Sequence, residues 1–214
     1  MKKVSIFATT ALAFAISSAA QAADNDSTIQ QEGVSNSSYV NQDGPATGDP
    51  GSTSTITQIG TSNRARVEQV TVVPVTHNST VLQTGTSNYA DVYQNADDVV
   101  GSNSSAFTSE VTQSGNNNLS YVDQTGRNNQ NSSIEQYGNA NTANVAQTFS
   151  ASESSIIQTG ASNYTNVWQD GASGESLVTQ AGADNYASLS QGGYNNNSEI
   201  TQSGNLNSAE VYQN

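Results

Sequence analysis

Eight times between Ser27 and Gln213 the chain repeats one pattern: Ser-x-aliphatic-x-Gln-x-Gly-x-x-Asn-x-small-x-aliphatic-x-Gln. The copies begin at Ser27, Ser54, Ser79, Ser109, Ser132, Ser154, Ser176 and Ser198. The first aliphatic position holds Ile29, Ile56, Val81, Val111, Ile134, Ile156, Val178 and Ile200, and the first glutamine is Gln31, Gln58, Gln83, Gln113, Gln136, Gln158, Gln180 and Gln202. Gly33, Gly60, Gly85, Gly115, Gly138, Gly160, Gly182 and Gly204 follow, then Asn36, Asn63, Asn88, Asn118, Asn141, Asn163, Asn185 and Asn207. The second aliphatic is Val40, Val67, Val92, Val122, Val145, Val167, Leu189 and Val211, and the closing glutamine is Gln42, Gln69, Gln94, Gln124, Gln147, Gln169, Gln191 and Gln213. Start-to-start spacings are 27, 25, 30, 23, 22, 22 and 22. A period in this range is the mark of a stacked architecture.

Each copy reads as strand–turn–strand. Ser, aliphatic and Gln are two residues apart and so share one face of an extended segment, as do the small residue, second aliphatic and closing Gln. Gly and Asn lie between them, where a tight turn must change the parity, and both residue types tolerate positive φ. In the regular copies about six Gly-, Asn- and Ser-rich residues precede the next Ser and form a second turn. A single two-stranded rung is unstable alone. Stacked in register, the rungs pair in parallel at about 4.8 Å, the Ile and Val form dry ladders, and each buried amide donates to one neighbour and accepts from another. The expected fold is therefore an all-β, cross-β solenoid of eight rungs, with all the repeat positions named above forming its inner ladder. The N-terminal four repeats, 27–131, carry longer connections than the regular four, 132–214. Pro45, Pro50 and Pro74 all fall in connections, as expected of a residue that cannot donate to a ladder.

Composition agrees. Only 33% of residues are hydrophobic and 11% charged, while 26 Asn and 19 Gln supply the deficit with amides. Residues 1–22 read as a secretory signal: basic Lys2 and Lys3, an apolar stretch, and a small-x-small end at Ala20-Gln21-Ala22. A leader of only 23–26 then precedes the first repeat. Past residue 22 three arginines face 18 acidic residues, a net charge of −15, which argues against nucleic acid as a partner; no later stretch is apolar enough for membrane insertion. No cysteine is present, and His77 is the only histidine; together with the lack of a Ca²⁺-loop pattern, this leaves no expected cofactor, metal site or catalytic set. His77 reads as an exposed loop residue, Arg64 and Arg66 as solvated, and Tyr93, Trp168 and Tyr212 as scattered outward aromatics. Asp43, Asp49, Asp97, Asp98, Asp123, Asp170 and Glu175 read as charges that oppose premature aggregation. Because they repel one another, mild acid or added salt is expected to shorten the lag before assembly.

The copies, for example SSIEQYGNANTANVAQ at 132–147 and SEITQSGNLNSAEVYQ at 198–213, resemble those of the curlin family, the subunits of extracellular curli amyloid fibres in Gram-negative biofilms. The resemblance implies a secreted structural protein that uses outer-membrane export machinery, a nucleating minor subunit, and open-ended self-assembly at the cell surface for adhesion and matrix formation. Curlin subunits commonly have about five repeats and a Gly- and Asn-rich leader; this chain has eight repeats and the short 23–26 segment. Self-assembly is also expected on physical grounds, because the final copy is as complete as any interior one and the first is uncapped, so each end templates the other. The alternatives are the minor nucleating or anchoring subunit of the same fibre, or a monomeric solenoid that binds ice or another surface. The last is disfavoured because the outward positions lack a regular Thr array.

Overall fold

The computed structural model describes residues 3–8, 25–44, 51–71, 75–96 and 106–214. The strands are β1 Lys3–Ala8, β2 Asp26–Val34, β3 Ser37–Asp43, β4 Thr53–Thr61, β5 Arg64–Thr71, β6 Thr76–Thr86, β7 Tyr89–Ala96, β8 Ala106–Asn116 and β9 Leu119–Gly126. They continue as β10 Gln130–Asn139, β11 Thr142–Gln147, β12 Glu153–Ala161, β13 Tyr164–Ala172, β14 Glu175–Ala183, β15 Tyr186–Tyr194, β16 Asn197–Asn205 and β17 Ser208–Gln213. No helix occurs among the described residues.

The strands form a β-solenoid of two facing parallel sheets. One runs β1-β2-β4-β6-β8-β10-β12-β14-β16 and the other β3-β5-β7-β9-β11-β13-β15-β17 in space. Each repeat is one rung, its first strand in one sheet and its second in the other. Register follows the repeat without slippage: Ser132 pairs with Ser154, Ile134 with Ile156, Gln136 with Gln158 and Gly138 with Gly160. Pairing across the longest spacing keeps the same register, since Val81 meets Val111 and Gln83 meets Gln113. A one-residue slip would turn every glutamine and aliphatic outward.

Burial alternates as the period-2 reading requires; β12, for example, hides Ser154, Ile156 and Gln158 and shows Glu153 and Thr159 to solvent. One continuous core holds the first aliphatics from Ile29 to Ile200 and the second from Val40 to Leu189, with Ala209 and Val211 packed partly exposed against its end. Each fully buried Ile or Val contributes about 1.5–3 kcal/mol of apolar burial.

The strands also run further than the repeat pattern marks. β6 starts three residues before Ser79, and β5 and β7 continue to Thr71 and Ala96. This adds an inner column two residues ahead of the repeat serines. Asn25, Ser52, His77, Phe107, Gln130 and Ser152 in that column are buried. His77 is thus a buried strand residue rather than an exposed loop residue. Its ring stacks on Phe107 with centroids 4.8 Å apart, beside Val75 and Ala96.

The first rung differs from expectation as well. Its β2 edge is not open, because β1, within the segment read as a signal, pairs with it in parallel, Lys3 against Asp26 and Ile6 against Ile29. The signal cleavage site, Pro45, Pro50, Pro74, Asp49, Asp97 and Asp98 lie outside the described residues.

Candidate assembly interface

Two glutamine ladders run the length of the solenoid. In the first, each side-chain Nε2 donates to the Oε1 of the next rung: Gln31 to Gln58 at 2.6 Å, Gln83 to Gln113 at 2.8 Å, Gln158 to Gln180 at 2.9 Å and Gln180 to Gln202 at 2.8 Å. The second runs in the same direction from Gln42 to Gln69 at 2.9 Å and onward to Gln191 and Gln213 at 3.1 Å. The other amide hydrogen crosses between sheets to a main-chain carbonyl. Gln158 reaches Thr142 O at 2.9 Å and Gln169 reaches Glu153 O at 2.9 Å. Each interior amide therefore spends both N–H groups and its oxygen, which is what lets it stand fully buried beside Ile and Val without the cost of an unpaired polar group.

The asparagines form a third ladder at the turn. Asn163 Nδ2 donates to Asn141 Oδ1 at 3.0 Å and to Gly182 O at 3.1 Å, while Asn163 Oδ1 accepts from the Asn185 main-chain N at 3.2 Å. The residue at positive φ is not this asparagine but the one before it: Ser35, Ser62, Ser87, Asn117, Ala140, Ser162, Asp184 and Leu206, all with φ of 55 to 58°. Asparagine is present for its side-chain bonds and not for a left-handed backbone.

Glycine answers to two constraints at once. Gly160 has φ +116°, and a Cβ there would stand 2.0 Å from Gly182 O in the rung below. The same approach of 2.0 or 2.1 Å recurs at Gly33, Gly60, Gly85, Gly115, Gly138 and Gly182. Among the eight repeat glycines only Gly204, in the last rung, faces no such oxygen.

The serine column behaves differently from the amides. Ser54, Ser79, Ser109, Ser132, Ser154 and Ser176 bury their hydroxyls with no hydrogen-bond partner. Only in the end rungs do they pair, Ser27 with Gln42 Oε1 at 2.8 Å and Ser198 with Gln213 Oε1 at 2.6 Å. In the interior, serine fills a small volume. Ser154→Ala is expected to raise stability by about 1 kcal/mol, since it removes a buried unpaired hydroxyl; a denaturant midpoint that falls would show that the hydroxyl is bonded.

His77 carries the interior's one titrating imidazole among the described residues. Its Nε2 lies 3.3 Å from Val70 O and Nδ1 has no partner. Burial pushes its pKa down from the ordinary 6.5 to about 4, and the Val70 carbonyl only partly opposes this. The unfolded chain therefore binds the proton more readily than the fold does. The His77 contribution to stability is complete above about pH 6.5 and is lost as pH drops toward 4, by on the order of 3 kcal/mol at the bottom of that window. His77→Phe is expected to flatten this slope; urea midpoints of wild type and variant that move in parallel between pH 7 and 4.5 would contradict it.

On the outer faces, Arg66 is not simply solvated, for it pairs with Glu68 and, at 3.2 Å, with Asp91. Arg64 lies over the Tyr89 ring, 5.5 Å from its centroid. Trp168 and Tyr212 do point outward and are exposed. Asp123 stands on the exposed outer face of β9, where partial desolvation raises its pKa. No group of three or more residues able to hold a metal ion occurs among the described residues.

Strand register pairs the Ser, first aliphatic, first Gln and Gly positions of neighbouring rungs in one sheet and the second aliphatic and closing Gln positions in the other, and side-chain bonds join the Asn positions. Missing from the repeat pattern was the extra column with His77 and Phe107. Continuing the alternation two residues upstream of each serine would have found it. At the far end, β16 and β17 carry no further strand among the described residues. Their inner side chains repeat those of interior rungs, yet Val211 and Gln213 are partly exposed. The curlin associated repeat, a known protein family, matches residues 108–130 and 182–214. These segments take in the fourth repeat and the chain from Gly182 through the eighth. Comparison with curated proteins gives no match.

Proposed function

We propose, from the premise that two stretches of the chain match the curlin associated repeat, that it is a structural subunit of extracellular, curli-like amyloid fibres that serve adhesion and the biofilm matrix. Its partner is a second copy of itself, added head to tail, with a nucleating minor subunit and outer-membrane export machinery as further partners. The observation that carries this reading is the last rung. Gln202 and Gln213 hold the same inward positions as every interior glutamine, and among the described residues no strand pairs with the outer edges of β16 and β17 and neither ladder continues beyond them. With residues 1–22 removed, as the signal reading expects, β1 no longer covers β2, and a first rung with Gln31 and Gln42 presents the side chains that would continue both ladders. Such a joint does not close on itself, so its product is a filament.

Gln202→Ala and Gln213→Ala in the terminal rung are expected to slow polymerisation severalfold, whereas Thr201→Ala, on the exposed face of β16, leaves it near the wild-type rate. Thioflavin kinetics would read this, with equal rates for all three contradicting the ladder joint. Added salt is expected to shorten the lag by screening the acidic chain. Acid does less than salt, since below pH 6.5 it also destabilises the rung holding His77. A chain that stays monomeric by size exclusion through days of standing would overturn the reading.

A further inference from the structure

We propose that Tyr164 and Tyr186 form a site of oxidative coupling, at which a one-electron oxidant joins two neighbouring rungs by a dityrosine bond. The two residues are direct partners in the β13–β15 register. Their rings lie 5.5 Å apart, centroid to centroid, with planes only 4° from parallel, and the side chains are 37% and 39% exposed. They are thus stacked on each other and open to a reagent from outside. Strand pairing holds them at one rung spacing, so a radical on one ring has its partner already in place. The other tyrosine pair with rings in contact among the described residues, Tyr89 and Tyr121, is less suited: its rings are tilted by 51°, and the Tyr89 hydroxyl donates to Asp91 at 3.2 Å, whereas the Tyr164 hydroxyl accepts from Asn144 Nδ2 at 3.2 Å.

The chain's composition leaves this pair little competition. There is no cysteine, and the single methionine is Met1. The usual sulfur sinks for oxidant are absent from the repeats, and His77 is buried against Phe107. Tyrosines and Trp168 are what remains. In the coupling each phenol gives up one electron and one proton. The two radicals join through the carbons ortho to their hydroxyls, and the hydrogens on those carbons move to the oxygens as the rings regain aromaticity. The chain loses two electrons and two protons in all, which hydrogen peroxide, acting through a haem peroxidase, takes up to become water. The new bond closes the chain from 164 to 186 and ties one rung to the next, hardening the stack much as a disulfide would. The inference rests on the rung stack and does not require assembly between molecules.

The test is brief treatment of the full chain with a haem peroxidase and limiting hydrogen peroxide, followed by peptide mass mapping. A mixture of unlabelled and ¹⁵N-labelled chains distinguishes bonds within one molecule from bonds between two. The expected result is a dominant cross-linked peptide pair joining 164 to 186, with both halves from the same chain. It should be lost in Tyr164→Phe and in Tyr186→Phe, unchanged in Tyr137→Phe, and lost when the wild type is oxidised in denaturant. The cross-linked chain should also unfold at higher denaturant concentration than its uncoupled parent. Coupling that instead tracks exposure, concentrating on Tyr194 at 76% and Tyr212 at 69%, would overturn the proposal. So would isotopically mixed 164–186 pairs, or oxidation confined to Trp168.

Discussion

Gly160→Ala is expected to lower the unfolding free energy by roughly 3–5 kcal/mol, among the largest effects any single methyl can have in this chain. Two independent costs combine. The φ of +116° excludes an L side chain, and the added Cβ would lie 2.0 Å from Gly182 O, a main-chain atom fixed by strand pairing. The rungs would have to part locally, breaking the glutamine and asparagine ladders beside the glycine. Gly204→Ala provides the comparison. Its φ is +103°, but its nearest heavy atom is Asn207 Nδ2 at 3.6 Å, so within one molecule only the backbone strain is felt, about 1 kcal/mol. If a second copy seats below the eighth rung in the register of the interior rungs, the same methyl meets that copy's Gly33 O. Gly204→Ala should therefore fold nearly as well as wild type and yet fail to extend fibres. Denaturant unfolding paired with seeded growth separates the two effects, and normal growth by this variant would exclude that joint.

Gln158→Ala is expected to cost about 3–5 kcal/mol, from a cavity and several orphaned polar groups together. Gln136 Nε2 loses one of its two acceptors and keeps Leu119 O, Thr142 O loses the Gln158 amide donor, and Gln180 Oε1 keeps only Thr165 Oγ1 at 2.8 Å. Gln158→Leu refills the space but repairs none of those bonds, so it should recover part of the loss and no more. Thr159→Ala, on the outer face of the same strand, should change stability by less than about 0.5 kcal/mol. Urea midpoints would rank the three. A Leu variant as stable as wild type would mean that the amides contribute shape and no hydrogen bonding.

The period, the register and both inner faces were legible in the sequence because each depends on strict alternation, and a one-residue slip would expose a whole ladder. Alternation alone puts Gln58 and Val67 inside for that reason. Other features were hidden. The left-handed turn position takes Ser, Asn, Ala, Asp or Leu in different rungs, so residue type does not mark it, and the invariant Asn next to it was credited with its φ. The column of His77 and Phe107 varies in character from Asn25 to Ser152, and no shared residue type announces that it is buried. That the inner serines lack partners follows from geometry alone, since serine can bond in some rungs and does so at both ends. The pairing of β1 with β2 arises from Lys3–Ala8, which shares with the repeat only Ile6 opposite Ile29, Val4 and Ala8 standing where the repeats have Ser and Gln.

The central claim is that equivalent residues of successive repeats sit directly over one another. Spin-label distances measured at Thr159, Ala181 and Ser203, outer positions that are consecutive partners across β12, β14 and β16, test it most directly. Stacking predicts a backbone separation of about 5 Å for each adjacent pair and about 10 Å for the outer two, both narrowly distributed. Broad distributions centred far beyond one strand spacing, or adjacent pairs no closer than the outer pair, would contradict it.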